Sequence, residues 1–160
     1  MIFGAIGKKK EGCATSLKKI VEATAVDVHD YHWLITHCEC YYPNDIELEQ
    51  LLSQEYCWLT GEELSSILAK EELGCIWVVC SAFQKDIRKE DVLSYPLPYA
   101  DGYEGFWTNP LTLQHPKATI EIVAFDGWTT LVLSDQKTIV DNYRKSFASS
   151  KDLTQYNQQK

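Results

Sequence analysis

Histidine and cysteine side chains are concentrated in one short stretch of this chain, and they are the residue types that bind zinc. The five residues are His29, His32, His37, Cys38 and Cys40. Zinc accepts imidazole nitrogen and thiolate sulfur in a tetrahedral arrangement. Cys38 and Cys40 fall on one face of a predicted strand, His37 falls on the other, and no second pair of ligands follows downstream. We therefore expect reduced, buried thiols and no bound cofactor.

His37 and Glu39 have the spacing of an acid–base pair. Residues two apart share a face of a strand, so the Glu39 carboxylate could raise the pKa of His37 and create a general acid or base. The other interpretation is a half-buried strand face beside Trp33. The sequence offers no nucleophile in a recognisable turn and no glycine-rich phosphate loop. We predict that the protein is not an enzyme, and the alternative is a small His- or metal-dependent enzyme centred on His37.

The negative charge of the chain is concentrated in one segment. The whole chain has a net charge of -8, and residues 39–72 alone contain nine acids and one base. Helix capping and the helix dipole explain some of these acids. They do not explain the scarcity of basic residues, which are ordinarily interspersed with acidic ones on a protein surface. Such a field attracts a basic partner and repels phosphate backbones and anionic membranes. We predict a protein partner, and neither nucleic acid nor a membrane.

A binding surface needs aromatic anchors as well as charge, because charges at its rim mainly accelerate encounter. Tyr56 and Trp58 lie inside the acidic segment, and the Pro- and Gly-rich stretch 94–117 offers Tyr99, Tyr103 and Trp107. That stretch either folds back over the sheet or stands ready for the partner. The predicted surface consists of Asp45, Glu47, Glu49, Glu55, Tyr56, Trp58, Glu62, Glu63, Glu71, Glu72, Tyr99, Tyr103 and Trp107.

The first half of the chain predicts the elements that must position these residues. The apolar run 2–6 is typical of a strand, and helical spacing follows the cap candidates Thr15 and Ser16. Residues 31–42 alternate with a period of two, which predicts a long strand.

Capping signals predict two further helices. Asn44 with Glu47, and Thr60 with Glu63, both have the spacing of a capping box. The continuous apolar run 75–82 then predicts a central strand that is covered on both faces.

A hairpin followed by a helix is predicted near the C-terminus. Asp126–Gly127 suits a two-residue turn between the strands 119–125 and 128–133, with Phe125 opposite Trp128. Asp135 is the expected cap of the final helix.

These elements predict one α+β domain. It should span residues 1–148, with a mainly antiparallel sheet of about five strands, three to four helices, and a polar tail over 149–160. The chain shows no secretory signal and no long apolar run, so we expect a cytoplasmic protein. The sequence predicts no particular oligomeric state.

The C-terminal run ATIEIVAFDGWTTLVLS, from Ala118 to Ser134, followed by a helix, resembles the ending of small bacterial immunity proteins. These belong to the contact-dependent growth-inhibition or polymorphic-toxin kind. The resemblance implies a cytoplasmic antidote that binds a toxin domain, often a nuclease with a basic substrate groove, through an acidic face. It implies no catalytic residues. The remaining alternative is an intracellular adaptor or regulatory subunit.

Overall fold

The computed structural model describes residues 1–9, 15–42, 44–70 and 73–159. These residues contain eight strands and six helices. The strands are β1 (Phe3–Lys8), β2 (Thr15–Ser16), β3 (Tyr31–Tyr41), β4 (Tyr56–Thr60), β5 (Gly74–Gln84), β6 (Ile120–Phe125), β7 (Thr129–Ser134) and β8 (Lys151–Asp152). The helices are α1 (Leu17–Thr24), α2 (Ile46–Leu52), α3 (Gly61–Lys70), α4 (Lys89–Leu93), α5 (Lys137–Ser146) and α6 (Leu153–Gln158). Glu71 and Glu72 of the predicted surface lie outside the described residues.

The strands form a single antiparallel sheet. Their order is β4-β3-β5-β6-β7-β1-β8, and β2 pairs with β5. This confirms the α+β class and the antiparallel sheet. The predicted number of strands was too low, because β4 and the two-residue strands β2 and β8 are too short to show a clear period. The short helices α4 and α6 were missed for the same reason.

Both faces of the sheet are buried. Helices α1, α2, α3 and α5 cover one face, where they pack on Trp33 and Ile122. The stretch 94–117, with α4 and α6, covers the other face and packs on Phe83 and Val123. Strand β5 lies between β3 and β6, as its continuous apolar sequence predicted.

Strand β3 contains a bulge that reverses its alternation. Its pairing with β5 is regular up to Thr36 and shifts immediately afterwards, where His37 has a φ of 50°. A bulge inserts one unpaired residue, so every later side chain changes face. Cys38 and Cys40 consequently pack toward the helices, whereas Leu34 packs on the opposite face. Regular alternation would place Leu34 on the same face as Cys38 and Cys40, and the bulge makes that expectation wrong; Cys38 and Cys40 still share a face, as predicted.

The predicted hairpin is present, but its register differs by one residue. Phe125 pairs with Thr129, so the turn has three residues instead of two. Asp126 and Gly127 both have positive φ, 55° and 71°, as the Asp–Gly sequence predicted. The observed register places Ile122 opposite Val132 and Val123 opposite Leu131 in the middle of the hairpin.

Two of the predicted helix caps are confirmed. The Glu63 carboxylate accepts a hydrogen bond from Thr60 N–H at 3.0 Å, and the Thr60 hydroxyl accepts one from Glu63 N–H at 3.1 Å. This reciprocal pair is a capping box. Ser16 caps α1 by accepting a hydrogen bond from Lys19 N–H.

Two other predicted caps were wrong. Asp45, not Asn44, caps α2, and its carboxylate accepts a hydrogen bond from Leu48 N–H at 3.0 Å. Gln136, not Asp135, occupies the cap position of α5, and its side chain makes no capping bond. A sequence spacing that fits a cap can fit a neighbouring position equally well.

The C-terminal residues differ from the predicted polar tail. Strand β8 pairs with β1, and Asp152 caps α6 by accepting a hydrogen bond from Gln155 N–H. Leu153 is fully buried against Gly4, where a side chain on the glycine would crowd it. One apolar residue at the right register therefore anchors this segment.

Candidate partner-binding surface

A groove of about 370 Å³ lies beside β4, the last strand at one end of the sheet. We call it the acidic groove. Four residues of the predicted surface line it, namely Glu55, Tyr56, Trp58 and Glu63. Lys89, which sequence reasoning did not single out, also lines it.

The aromatic walls of the acidic groove come from one face of β4. Tyr56 and Trp58 are two residues apart, so both point to the face opposite the helices. The Trp58 ring packs on the Phe83 ring, with centroids 5.7 Å apart, and on the His32 ring at 5.4 Å. Both anchors remain half-buried, which leaves part of each ring accessible. The Lys89 ammonium lies 5.8 Å from the centroid of the Tyr56 ring.

The other face of β4 attaches the groove to the core. Cys57 and Leu59 are buried among the helices. The Cys57 thiol donates a hydrogen bond to the Leu51 carbonyl at 2.7 Å, which ties β4 to the end of α2. The alternation of a short strand therefore separates the anchors from the residues that hold them in place.

Strand β4 is an edge strand. Among the described strands it pairs with β3 alone. An edge strand leaves alternate backbone N–H and C=O groups available for pairing with another chain. At its C-terminal end, Thr60 N–H is already occupied by the Glu63 carboxylate.

The exposed carboxylates of the acidic segment lie on consecutive elements around β4. These are α2, the turn before β4, and the first turn of α3, and the acids are Glu47, Glu49, Glu55, Glu62 and Glu63. Asp45 is half-buried because it caps α2. The ion pairs found within the described ranges link Asp27–His29, Arg88–Asp91 and Lys137–Asp141, and none of them neutralises a carboxylate of the acidic segment.

The three aromatic residues predicted in the 94–117 stretch do not line the acidic groove. Tyr103 packs on Phe106, with ring centroids 4.7 Å apart, and Trp107 packs on Phe125 at 5.3 Å. These contacts hold the stretch against the sheet. Tyr99 is the most exposed of the three, at 46%.

The histidines considered for chemistry are held apart. His37 stacks on Trp77, and its Nδ1 atom accepts a hydrogen bond from Ala100 N–H at 2.9 Å. His37 thus holds the 94–117 stretch to the bulge in β3. His29 lies 2.8 Å from Asp27, which lowers the pKa of that carboxyl group through a hydrogen bond. In the part of the chain that the structure describes, no three His, Cys, Asp or Glu residues converge on a metal position.

The cysteines differ from the expectation of reduced thiols. Cys40 and Cys75 form a disulfide between β3 and β5, which makes that expectation wrong for this pair. Cys38 is free, and its sulfur lies 3.1 Å from the Cys40 sulfur. Burial raises the pKa of the Cys38 thiol to about 11, so the thiol is protonated near neutral pH.

Glu121 is a buried carboxyl group that sequence reasoning missed. It lies in β6 with no exposed surface, and its Oε2 atom accepts a hydrogen bond from Gln114 N–H at 2.8 Å. Burial raises its pKa to about 7. The sequence did contain a signal for this site, because Glu121 is an acid inside a strongly apolar strand. A buried acid needs a hydrogen-bond partner, so such a residue indicates a specific polar contact.

A family model described as "Protein of unknown function (DUF2691)" matches residues 8–96, which is more than half of the 160-residue chain. The chain belongs to this family. The DUF2691 region contains the whole acidic groove, from Leu51 to Lys89. The β6–β7 hairpin lies outside it. Comparison with curated proteins and with solved structures gives no match.

The described helices are all too short or too polar to cross a lipid bilayer.

Proposed function

We propose that this protein binds a basic partner protein at the acidic groove. One observation carries the proposal: Glu55 and Glu63 line the same groove as the half-buried rings of Tyr56 and Trp58. Carboxylates at a rim accelerate encounter with a basic surface, and buried aromatic side chains supply most of the affinity. The further exposed acids on α2 and α3 extend the same negative field around β4.

The partner segment is proposed to bind in an extended conformation along β4. A strand added to an exposed sheet edge gains backbone hydrogen bonds, and its alternate side chains reach toward the groove. Lysine or arginine at those positions would face carboxylates and aromatic rings together. The position of Lys89 over the Tyr56 ring supports this, because a cation of the protein itself already occupies such a place.

The specific form of the proposal is a toxin antidote, which follows from the resemblance of the Ala118–Ser134 run to immunity proteins. The partner would be a toxin domain, such as a nuclease, whose basic substrate groove meets the acidic groove. An adaptor that binds a non-toxic basic protein would use the same surface. The partner's own activity separates these two forms.

Charge reversal tests the binding surface. Glu55→Lys combined with Glu62→Lys reverses two exposed acids, whereas Glu63 is avoided because its carboxylate caps α3. Glu22→Lys combined with Glu104→Lys is the matched control at exposed positions elsewhere. In affinity purification from the native cells, a basic protein should be retained by the wild type and the control and lost by the reversed variant.

The purified partner then gives the decisive measurement. At low salt, the rate constant for association of the partner with the reversed variant should be lower than with the wild type by on the order of tenfold. The salt dependence of that rate constant should also weaken. An unchanged rate would refute the proposed surface. If expression of the partner alone arrests growth and co-expression of this protein relieves the arrest, the antidote form is supported; a harmless partner supports the adaptor.

A further inference from the structure

Three cysteine sulfurs meet on the helix-covered face of the sheet. Cys40 in β3 is bonded to Cys75 in β5, and the two residues are direct partners in the register of these strands. The free sulfur of Cys38 lies 3.1 Å from the Cys40 sulfur. Cys38 and Cys40 both pack toward the helices, and the strand register shifts between them at Glu39. We call Cys38, Cys40 and Cys75 the sulfur cluster.

The contact between Cys38 and Cys40 is the arrangement that thiol–disulfide exchange requires. Exchange begins when a thiolate attacks one sulfur of a disulfide, and the other sulfur leaves as a thiolate. A disulfide bond is about 2 Å long, so the Cys38 and Cys40 sulfurs need to approach each other by only about 1 Å. Cys38 can therefore reach Cys40 by a small movement of its side chain.

The Tyr42 hydroxyl supports the attacking form of Cys38. It lies 3.7 Å from the Cys38 sulfur, and burial raises its pKa, so it keeps its proton and can donate a hydrogen bond to a thiolate. The pKa of Cys38 itself is raised to about 11, mainly by burial and to a lesser extent by Cys57 and Glu39, while the Tyr42 hydrogen bond opposes the rise. The thiolate is therefore a small fraction near neutral pH, and exchange should become faster as the pH rises.

We propose that the sulfur cluster is a thiol–disulfide exchange site in which Cys38 is the attacking thiol. The Cys38 thiolate attacks the Cys40 sulfur, the Cys38–Cys40 bond forms, and the Cys40–Cys75 bond breaks. Cys75 leaves as a thiolate and takes up the proton that Cys38 has lost. One disulfide is consumed and one is formed, so the step needs no added oxidant or reductant.

The position of the disulfide decides whether a covalent loop encloses the acidic groove. The Cys40–Cys75 bond joins residues 35 positions apart, and the loop between them contains α2, β4 and α3. The Cys38–Cys40 bond encloses Glu39 alone. A disulfide stabilises the loop that it closes because the cross-link restricts the unfolded chain. Exchange therefore opens this loop and lowers the stability of the elements that carry the groove.

Disulfide mapping tests the exchange. The wild type is incubated at about pH 9 without added thiol or oxidant, quenched in acid and alkylated under denaturing conditions, and its peptides are identified by mass spectrometry. Alkylated Cys75 together with a Cys38–Cys40 bond should accumulate, at a rate that rises about tenfold per pH unit below the pKa of Cys38. Persistence of the Cys40–Cys75 bond alone would overturn the proposal. A bond to Cys13, which lies outside the described residues, in place of the Cys38–Cys40 bond would overturn it too.

Two alanine substitutions are the matched variants. Cys38→Ala removes the attacking thiol and should lower the alkylation of Cys75 by at least about tenfold. Cys80→Ala removes another free thiol from the same core and should keep the exchange rate within about threefold of the wild type. Equal alkylation of Cys75 in Cys38→Ala and the wild type would overturn the role of Cys38.

Tyr42→Phe tests the hydrogen bond to the thiolate. Exchange should slow by on the order of tenfold, the loss typical of a hydrogen bond to a charged group. An unchanged rate would refute the contribution of the Tyr42 hydroxyl.

Amide hydrogen exchange tests the effect on the acidic groove. Cys75→Ala keeps the loop open, and Cys38→Ala keeps it closed. The amides of β4 that pair with β3 should exchange at least about tenfold faster in Cys75→Ala. Equal exchange in the two variants would refute the coupling between the sulfur cluster and the groove. No partner takes part in these experiments, so their outcome is separate from the test of the proposed function.

Discussion

At the scale of single residues, Glu121 contacts the 94–117 stretch and makes the stability of the protein depend on pH. Its carboxylate accepts a backbone hydrogen bond from Gln114, and burial raises its pKa to about 7 from an ordinary 4.5. A raised pKa means that the folded state holds the proton more tightly than the unfolded chain. The stability gained from this group is therefore complete below about pH 4.5 and is lost as the pH rises through about 7.

We predict that Glu121→Gln removes this pH dependence, because an amide is neutral at every pH and its oxygen can still accept the Gln114 hydrogen bond. Between pH 5 and 8, which brackets the cited value of about 7, the wild type should lose stability relative to the variant by up to on the order of 3 kcal/mol. Urea unfolding at each pH measures the difference. Burial also lowers the pKa of His115, but that residue is common to both proteins.

The control for this prediction is Glu104→Gln, which neutralises an exposed acid in the same stretch and should keep the wild-type pH dependence. Identical pH profiles for the wild type and Glu121→Gln would contradict the assignment.

Residue positions were only partly predictable from the sequence. The strand that contains Glu121 was predicted, but alternation says little about which residues face inward when both faces of a sheet are covered. The Cys40–Cys75 disulfide depends on the register between β3 and β5. That register shifts between Thr36 and Glu39 and shifts back between Glu39 and Cys40, and no sequence pattern marked either shift.

At the scale of elements, β4 and α3 show why the acidic groove was only partly foreseen. The capping box at Thr60 was readable because its two residues have a fixed spacing. Strand β4 was not, since five residues between two helices carry little periodicity. Tyr56 and Trp58 were predicted as anchors because they are aromatic residues inside the acidic segment. The structure adds that both lie on the same face of β4.

We predict that Thr60→Ala lowers the free energy of unfolding by about 1 kcal/mol, because the Glu63 N–H loses its acceptor at the start of α3. Thr60→Ser keeps the hydroxyl and should remain close to the wild type. Combining Thr60→Ala with Glu63→Gln in a double-mutant cycle should show coupling, since the two bonds are reciprocal. Chemical unfolding measures all four proteins, and strictly additive losses would show that the two bonds do not act together.

At the scale of the whole molecule, the sheet separates surfaces of different character. The acidic groove lies at the β4 end, and a second cavity of about 400 Å³ lies on the helix-covered face beside β1 and α1. The 94–117 stretch forms the third layer. The sequence left open whether this stretch folds back or awaits a partner, because proline and glycine exclude regular structure without saying where a loop packs. Ala100 and Phe106 are buried, which shows that the stretch folds back over the sheet.

We predict that the 94–117 stretch is part of the cooperative core of the free protein. Phe106→Ala should lower the free energy of unfolding by about 3–5 kcal/mol, because Phe106 is 1% exposed and packs between Tyr103 and Phe125. Tyr99→Ala, at a 46% exposed aromatic residue of the same stretch, should cost less than about 1.5 kcal/mol. Hydrogen exchange without any partner should show the Tyr103 and Thr108 amides protected, since both donate backbone hydrogen bonds. Exchange at unfolded rates, with equal costs for the two substitutions, would instead indicate a stretch that orders only when a partner binds.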